Sequence, residues 1–217
     1  MRRDDHLLTL LKCSLVVLAA CVVAVVICYY FVDKPVAFFV HRHEIPKVEE
    51  FRWLTEPPPL LQSWAPLLLV VLAVRRAFGP WQPWQTALFL ACVSLIVADQ
   101  FRQSLGDLCG RYWPETWHDN NPSLIGTGAY GFHPFEVGDD VGSFPSGHSA
   151  RIVGFLSVFW LMLPRGRWLY SLIGLPMLLS LIAMDYHFVG DLIAGSTLGA
   201  VVGVWAVRLG CLNESAN

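Results

Sequence analysis

A histidine and an aspartate near the C-terminus have the residue types and spacing that nucleophilic chemistry requires. His187 and Asp191 lie four residues apart in the stretch DYHFVGD, residues 185–191, so on a helix their side chains would share one face and could meet. A carboxylate bonded to one imidazole nitrogen fixes the tautomer and makes the other nitrogen a better base or nucleophile. Asp185 is an alternative partner, but its two-residue offset points it elsewhere on a helix. The competing interpretation is an ordinary polar cap at the end of a membrane span.

A second polar group opens an apolar segment at SFPSGHSARIV, residues 143–153. Pro145 suits the first turn of a helix because its missing N–H has no intrahelical partner there. Ser146 and Gly147 would then present a hydroxyl and open backbone N–H groups at a helix N-terminus, which is a ready anion site. His148 follows directly, where it could give or take a proton. A simple helix cap is the alternative.

Arginines near these groups are candidate anion ligands. Arg111 stands in a Gly-Arg-Tyr-Trp-Pro turn, and a guanidinium fork binds phosphate oxygens with two hydrogen bonds. It could instead pair only with Glu115 or Asp107. Arg151 follows His148 by three residues and would be costly to bury in a span, so we expect it to face a wet cavity or a partner.

This set of residues predicts phosphoryl transfer through a covalent phosphohistidine. His187 would attack phosphorus in line while Asp191 holds its ring, and His148 would protonate the departing oxygen and later activate water. Arg111 and the Ser146–Gly147 amides would stabilise the charge on the equatorial oxygens.

No metal or other cofactor is expected in this reaction. The nearest approach to a Mg²⁺ site is Glu136 with Asp139 and Asp140 in the preceding loop. Loop acids of this kind are more often solvated turn residues, so the metal-free mechanism is the simpler prediction.

Composition places these residues in a membrane protein. Of the 217 residues, 55% are hydrophobic and 15% charged, and the mean hydropathy is +0.50. The apolar residues fall in blocks of roughly 20, about the length that crosses a bilayer. We predict one domain over residues 1–217, all-α, a six-transmembrane helical bundle that contacts the lipid bilayer. The net charge of −2 argues against nucleic acid as a partner, and protein partners stay unknown. The six predicted spans are Leu11–Val32, Leu61–Val74, Thr86–Asp99, His148–Leu163, Trp168–Met184 and Phe188–Val207.

The basic residues predict the orientation of this bundle. Placing both termini in the cytoplasm gives every cytoplasmic connection arginines, at positions 2 and 3, 75 and 76, 165 and 167, and 208. The loop Gln100–Pro145 and the turn DYHFVGD then emerge on the outer face, where the active site is expected. Residues 33–59 would lie flat in the headgroup layer or act as a plain polar connector, ended by the prolines Pro57–Pro59.

Three glycines of the last span predict close helix packing. Gly195, Gly199 and Gly203 recur every four residues, so they share a face that lets a second helix approach.

On these residues the chain resembles the type-2 phosphatidic acid phosphatase family of membrane lipid phosphate phosphatases. The family carries Lys-x6-Arg-Pro, Pro-Ser-Gly-His and Ser-Arg-x5-His-x3-Asp. Residues 145–148 match the second motif completely, and Ser180, His187 and Asp191 match the third. Leu181 stands at the third motif's arginine position. The first motif is weakest, with Gly106 at the lysine and Trp113 at the arginine position before Pro114.

The resemblance spans about residues 100–203 and implies the His, His and Asp roles above. Arg111 is similar to a variant first motif, Gly-Arg-x-Trp-Pro, of some bacterial members. Arg102 is the expected stand-in for the missing lysine, and Arg151 is a second replacement cation.

The resemblance also implies a function. The expected activity is dephosphorylation of a membrane lipid phosphate or diphosphate at the outer, periplasmic face of a bacterial inner membrane. Polyprenyl diphosphate, phosphatidylglycerol phosphate and a lipid A phosphate are all admissible substrates. A lipid-to-lipid phosphotransferase and a non-catalytic transporter or partner subunit are the alternatives.

Overall fold

The apolar blocks of the chain form helices, since a backbone in lipid must satisfy its hydrogen bonds within the segment. The structure is a computed structural model that describes residues 3–117, 120–136 and 138–214, and within those ranges the fold is all-α without a β-strand. The helices are α1 (Arg3–Ile27), α2 (Asp33–Arg42), α3 (Glu49–Thr55), α4 (Pro57–Ala77), α5 (Pro83–Cys109), α6 (Leu124–Thr127), α7 (Gly147–Met162), α8 (Arg167–Ala183) and α9 (Val189–Glu214).

Among the residues that the structure describes, five helical segments are long and apolar enough to cross a membrane, which makes the chain an integral membrane protein. The remaining predicted span, His148–Leu163, corresponds to α7, which has 16 residues and a length of about 24 Å, short of a hydrocarbon core of about 30 Å. Much of this helix is buried against α5, α8 and α9. The five membrane-length segments are Asp5–Arg42, Glu49–Ala77, Pro83–Cys109, Pro164–Ala183 and Val189–Cys211.

The first helical segment extends well past its predicted end at Val32. A π-helical turn, Cys28–Val32, joins α1 to α2 without a break. Asp33, assigned by the sequence to the first outer loop, therefore lies inside a helix and is 1% exposed.

The prolines at 57–59 begin a helix instead of only ending the connector. They form the first turn of α4, where a missing N–H costs no hydrogen bond. The connector before them contains the short α3, which packs against α8.

The predicted glycine face on α9 is confirmed. A Cβ atom on Gly195 would overlap the carbonyl oxygen of Ser146, and one on Gly199 would overlap that of Ala150. A Cβ on Gly203 would overlap Ser157 Oγ. The three glycines therefore let α9 lie against the backbone of α7, and this contact fixes the two helices that carry the candidate site.

Candidate active site

The helix α7 begins after Pro145, whereas the sequence placed Pro145 in its first turn. Ser146 caps the helix, because its Oγ accepts from the amide of Ser149 at 3.3 Å. Pro145 lies outside the helix, before the cap, so it does not occupy the first turn. The Ser146 N–H is already used, because it donates to the carbonyl of Asp191 at 3.1 Å. Of the two predicted anion-binding amides, Gly147 is thus the one in the helix's first turn, where amides lack intrahelical acceptors.

The two predicted catalytic histidines face each other. The ring centroids of His148 and His187 are 5.8 Å apart at an interplanar angle of 63°. His187 follows α8 in the turn before α9 and is 3% exposed, while His148 is half-buried at the start of α7. Both line one cavity of about 600 Å³. Two imidazoles opposed across a cavity can serve as nucleophile and general acid on one bound group.

Asp191 lies behind His187, in the first turn of α9. Its Oδ2 is 3.9 Å from His187 Nδ1, which is too long for a hydrogen bond but within ion-pair reach. The same oxygen accepts from Ser143 Oγ at 2.6 Å and from the Phe188 amide at 3.0 Å. A carboxylate with several fixed donors is held in place and can orient the imidazole next to it.

Arg111 does not reach the cavity. It is completely buried, and its Nη1 donates to Asp191 Oδ1 while its Nη2 donates to Asp33 Oδ2 at 2.7 Å. Neither predicted alternative, Glu115 or Asp107, is its partner. A guanidinium occupied by two buried carboxylates is placed to hold side chains rather than a substrate phosphate. Four aromatic rings surround it, with its Cζ 4.4–5.6 Å from their centroids: Tyr29, Tyr130, Phe132 and Phe188.

Arg102 and Arg151 lie within electrostatic range of His148. Arg102 donates to the carbonyl oxygens of Pro145 (3.2 Å) and Gly142 (3.0 Å), so it braces the loop before α7. A Cβ atom on Gly147 would lie 3.0 Å from Arg102 Nε, so glycine leaves room for this cation.

Arg151 has the buried partner that its position in a span required. Its Nε donates to Asp99 Oδ1 at 2.8 Å, and its side chain is 14% exposed. Asp99 also accepts from Gln62 and Gln103, so this ion pair is embedded in a polar network inside the bundle.

The two positions that depart from the family motifs have different surroundings. Leu181, at the arginine position, is buried in an apolar cluster with Ile152 and Met177. Gly106, at the lysine position, lines a small cavity of about 260 Å³ that Arg102 also lines. Arg102 lies one helical turn before Gly106 and on the same face, as a stand-in for the missing lysine would require.

The wall of the main cavity comes from four separate segments of the chain, one of which is the start of α7 with His148. Trp113 packs beside the nucleophile candidate, 5.2 Å from the His187 ring centroid, and Trp117 meets Tyr186 edge-on at 4.6 Å. Both tryptophans line the cavity. The segment around α3 contributes an exposed cation, Arg52. The other lining residues are Pro46, Glu49, Asn121 and Met184.

Burial changes the protonation of two groups in the turn before α9. Burial lowers the pKa of His187 and outweighs the opposing effect of Asp191, so the imidazole is neutral at pH 7, as a nucleophile must be. Burial, with a smaller effect of Glu115, raises the pKa of Asp185 to about 7. Asp185 Oδ2 is buried without a hydrogen-bond partner among the described residues.

Among the side chains that the structure describes, the acids of the loop before α7 are not part of a metal site. Within residues 3–117, 120–136 and 138–214, no group of three His, Cys, Asp or Glu side chains is arranged to hold a metal ion. Glu136 pairs with His133 at 3.6 Å. The side chain of Asp139 lies outside the described part of the chain.

Comparison with known proteins identifies the family. A sequence model of the PAP2 superfamily matches residues 87–212, more than half of the chain. The chain belongs to the PAP2 superfamily. This PAP2 protein is 28% identical over 152 residues to a lipid A 1-phosphatase of Rhizobium johnstonii, covering 68% of the chain and 58% of that relative. It is 31% identical over 90 residues to a lipid A 1-phosphatase of Rhizobium etli, covering 42% of the chain and 36% of that relative. No solved structure matches.

Sequence reasoning missed two side chains that hold this PAP2 site together. Asp33 contacts Arg111, and Ser143 contacts Asp191. A carboxylate directly after a long apolar run was a usable signal for Asp33, since acids at such positions are commonly paired. Ser143 carries no signal beyond its nearness to the second motif.

Proposed function

We propose that this protein removes a phosphate group from a membrane lipid through a phosphohistidine formed on His187. The observation that carries the proposal is the pair of opposed imidazoles, His148 and His187, across one cavity, with Asp191 behind the second ring. Opposed acid and nucleophile are what an in-line displacement at phosphorus requires.

The reaction has two steps. His187 Nε2 attacks phosphorus, the bond from phosphorus to the lipid oxygen breaks, and His148 gives that oxygen its proton. In the second step His148 takes a proton from water, the hydroxide attacks phosphorus, and the phosphorus–nitrogen bond breaks to release phosphate and His187. Arg102, Arg151 and the Gly147 amide would stabilise the charge on the equatorial oxygens. The mechanism needs no metal ion.

The phosphate at position 1 of lipid A is the first substrate to test. Both relatives named above are lipid A 1-phosphatases, and the cavity has tryptophan, asparagine and arginine side chains suited to a polar headgroup. Polyprenyl diphosphate and phosphatidylglycerol phosphate are the competing substrates. The proposed location is a bacterial inner membrane, and the distribution of the basic residues supports an orientation in which the cavity faces the periplasm.

Phosphate release from purified protein in mixed micelles tests this function. The assay presents each of the three lipids to the wild type, to His187→Ala and to His43→Gln, which changes an exposed histidine at the end of α2. We expect release by the wild type and His43→Gln, and at least a 10³-fold loss in His187→Ala. Equal inertness of all three proteins on every lipid would refute the function. Transfer of labelled phosphate to a second lipid would identify a phosphotransferase.

A further inference from the structure

A buried arginine links the first helical segment to the aspartate behind the nucleophile. Arg111 donates through Nη1 to Asp191 and through Nη2 to Asp33. All three side chains are at most 1% exposed. Buried carboxylates sharing one guanidinium fix one another's positions, because breaking either pair leaves an uncompensated charge.

Asp33 makes a second contact next to the catalytic pair. Its Oδ1 accepts from the Gly190 amide at 3.0 Å, in the first turn of α9 and directly before Asp191. An anion at a helix N-terminus is favourable because the first amides lack intrahelical acceptors. Asp33 therefore holds Asp191 both through its side-chain partner and through the backbone beside it.

The π-helical turn brings both Asp33 and an aromatic neighbour to this place. Such turns insert an extra residue into a helix and are frequent at functional sites. Tyr29, inside the turn, stacks on Tyr130 with centroids 4.7 Å apart, and the Tyr130 hydroxyl donates to the Tyr29 carbonyl at 2.7 Å. Arg111 in turn donates to that hydroxyl at 3.3 Å. The first helical segment thus encloses the guanidinium and pairs with it.

We infer that Asp33 is a positioning residue for the phosphoryl-transfer reaction, acting through Arg111 and Gly190 to fix Asp191 behind His187. The inference rests on the proposed function of those two residues. Asp33 lies outside residues 87–212, the segment that matches the family. The first helical segment therefore supports a catalytic group, His148, His187, Asp191 and Arg111, that lies within the matched segment.

The expected effect of Asp33 on His187 follows from charge. Two carboxylates and one guanidinium carry one net negative charge, and Asp191 presents part of it to the imidazole. In Asp33→Asn, Arg111 would pair with Asp191 alone, so the imidazole would be less basic and less firmly held. The other charged or titratable groups facing His187 are His148 from α7 and Arg102 from α5, and the substitution leaves both unchanged.

Steady-state kinetics of Asp33→Asn test the inference. We expect kcat to fall about 10- to 100-fold while KM changes less than about twofold, since Asp33 does not line the cavity. The acidic limb of the pH profile should move down by about 0.5–1 pH unit. Asp33→Glu, which keeps the charge but displaces it, should retain more activity than Asp33→Asn. The matched control is Glu50→Gln, which neutralises an exposed carboxylate on α3.

A purely structural role for Asp33 gives a different result. Asp33→Asn would then unfold at a lower temperature, but kcat per folded molecule and the pH profile would equal those of the wild type. That outcome would overturn the inference. If Asp33→Asn does not fold, Asp33→Glu is measured instead. A kcat of Asp33→Glu equal to that of the wild type would also overturn the inference.

A chemical readout separates this inference from the proposed function. Diethyl pyrocarbonate modifies neutral imidazole, so the rate at His187, followed by peptide mass spectrometry over a pH series, reports basicity and accessibility without turnover. We expect the midpoint for His187 to be lower in Asp33→Asn and unchanged in Glu50→Gln. If the wild type released no phosphate from any lipid, the proposed function would fail while this midpoint still decided the role of Asp33. An unshifted midpoint would overturn that role.

Discussion

The imidazoles of His148 and His187 lie 5.8 Å apart, centroid to centroid, at an interplanar angle of 63°. They come from different elements, the first turn of α7 and the turn before α9. An in-line displacement needs the nucleophile within about 3–3.5 Å of phosphorus, with the acid on the opposite side of the phosphoryl group. The spacing of the two elements therefore determines whether both histidines can act on one phosphate.

The role of His148 can be isolated with a substrate whose leaving group needs little protonation in order to depart. In His148→Gln, p-nitrophenyl phosphate should still phosphorylate His187, because its leaving oxygen is weakly basic. The second step should slow by about 10²- to 10⁴-fold, since no base activates water. Rapid mixing should then show a burst of nitrophenol and an acid-labile phosphoenzyme. His43→Gln is the control, and steady release without a burst from His148→Gln would contradict the assigned role.

Paired substitutions distinguish a phosphate ligand from a structural ion pair at Arg151. Arg151→Gln leaves Asp99 buried without its cation, so it should reduce the free energy of unfolding by about 3–5 kcal/mol. Adding Asp99→Asn should restore most of that stability. If Arg151 holds substrate phosphate, KM stays raised in the stable double variant. A double variant with the wild-type KM would assign Arg151 a structural role alone. Thermal unfolding in detergent and phosphate-release kinetics measure the two effects.

Gly195 should tolerate no side chain. A Cβ atom there would overlap the Ser146 carbonyl oxygen, so Gly195→Ala should push α9 from α7 and cost about 1–3 kcal/mol of stability. Phosphate release should fall with it. Gly174→Ala on α8 is the matched control, because its Cβ would meet only the end of the Leu156 side chain at 3.2 Å. Equal melting temperatures and activities for the two variants would show that the contact is not tight.

The titration of the buried Asp185 carboxyl group should make the stability of the protein depend on pH. Burial raises the pKa of Asp185 to about 7, above its unfolded value, so the folded state retains a proton that the unfolded state loses. The free energy of unfolding should therefore fall as pH rises from about 4 to about 7.

The variant Asp185→Asn removes this titration and suits the left-handed backbone at φ 52°. It should be more stable than the wild type by roughly 2–4 kcal/mol at pH 8 and close to it at pH 4. Melting temperatures over a pH series measure the difference. Parallel curves for the two proteins would show that Asp185 does not titrate in this range.

The helices and the gathering of the histidines could be predicted from local information. Blocks of apolar residues predict spans, and alternating spans bring the 100–145 loop and the 185–191 turn to one end of a bundle. His148, His187 and Asp191 lie together there, although their catalytic roles remain predictions. The glycine face was predictable for the same reason, because a four-residue period is a local property.

The surroundings of Arg111 could not be predicted in this way. Its two carboxylate partners lie 78 and 80 residues away, so no spacing rule relates them to it. Glu115 and Asp107 lie near Arg111 in the sequence, but Arg111 pairs with neither. A π-helical turn also changes which residues face inward beyond it, which is why Asp33 was assigned to a loop and not to the site.

The glycine contact between α7 and α9 bears on how this protein would fail. Gly195 lies one turn beyond Asp191, and the Ser146 backbone that it touches lies two residues before His148. The joint between the helices thus lies within a few residues of the groups proposed to react. Loosening this joint by a fraction of an ångström would misalign donor and nucleophile long before the bundle came apart. Such molecules would remain folded and inserted in the membrane but would be inactive. The amount of protein would then be a poor measure of the number of active molecules.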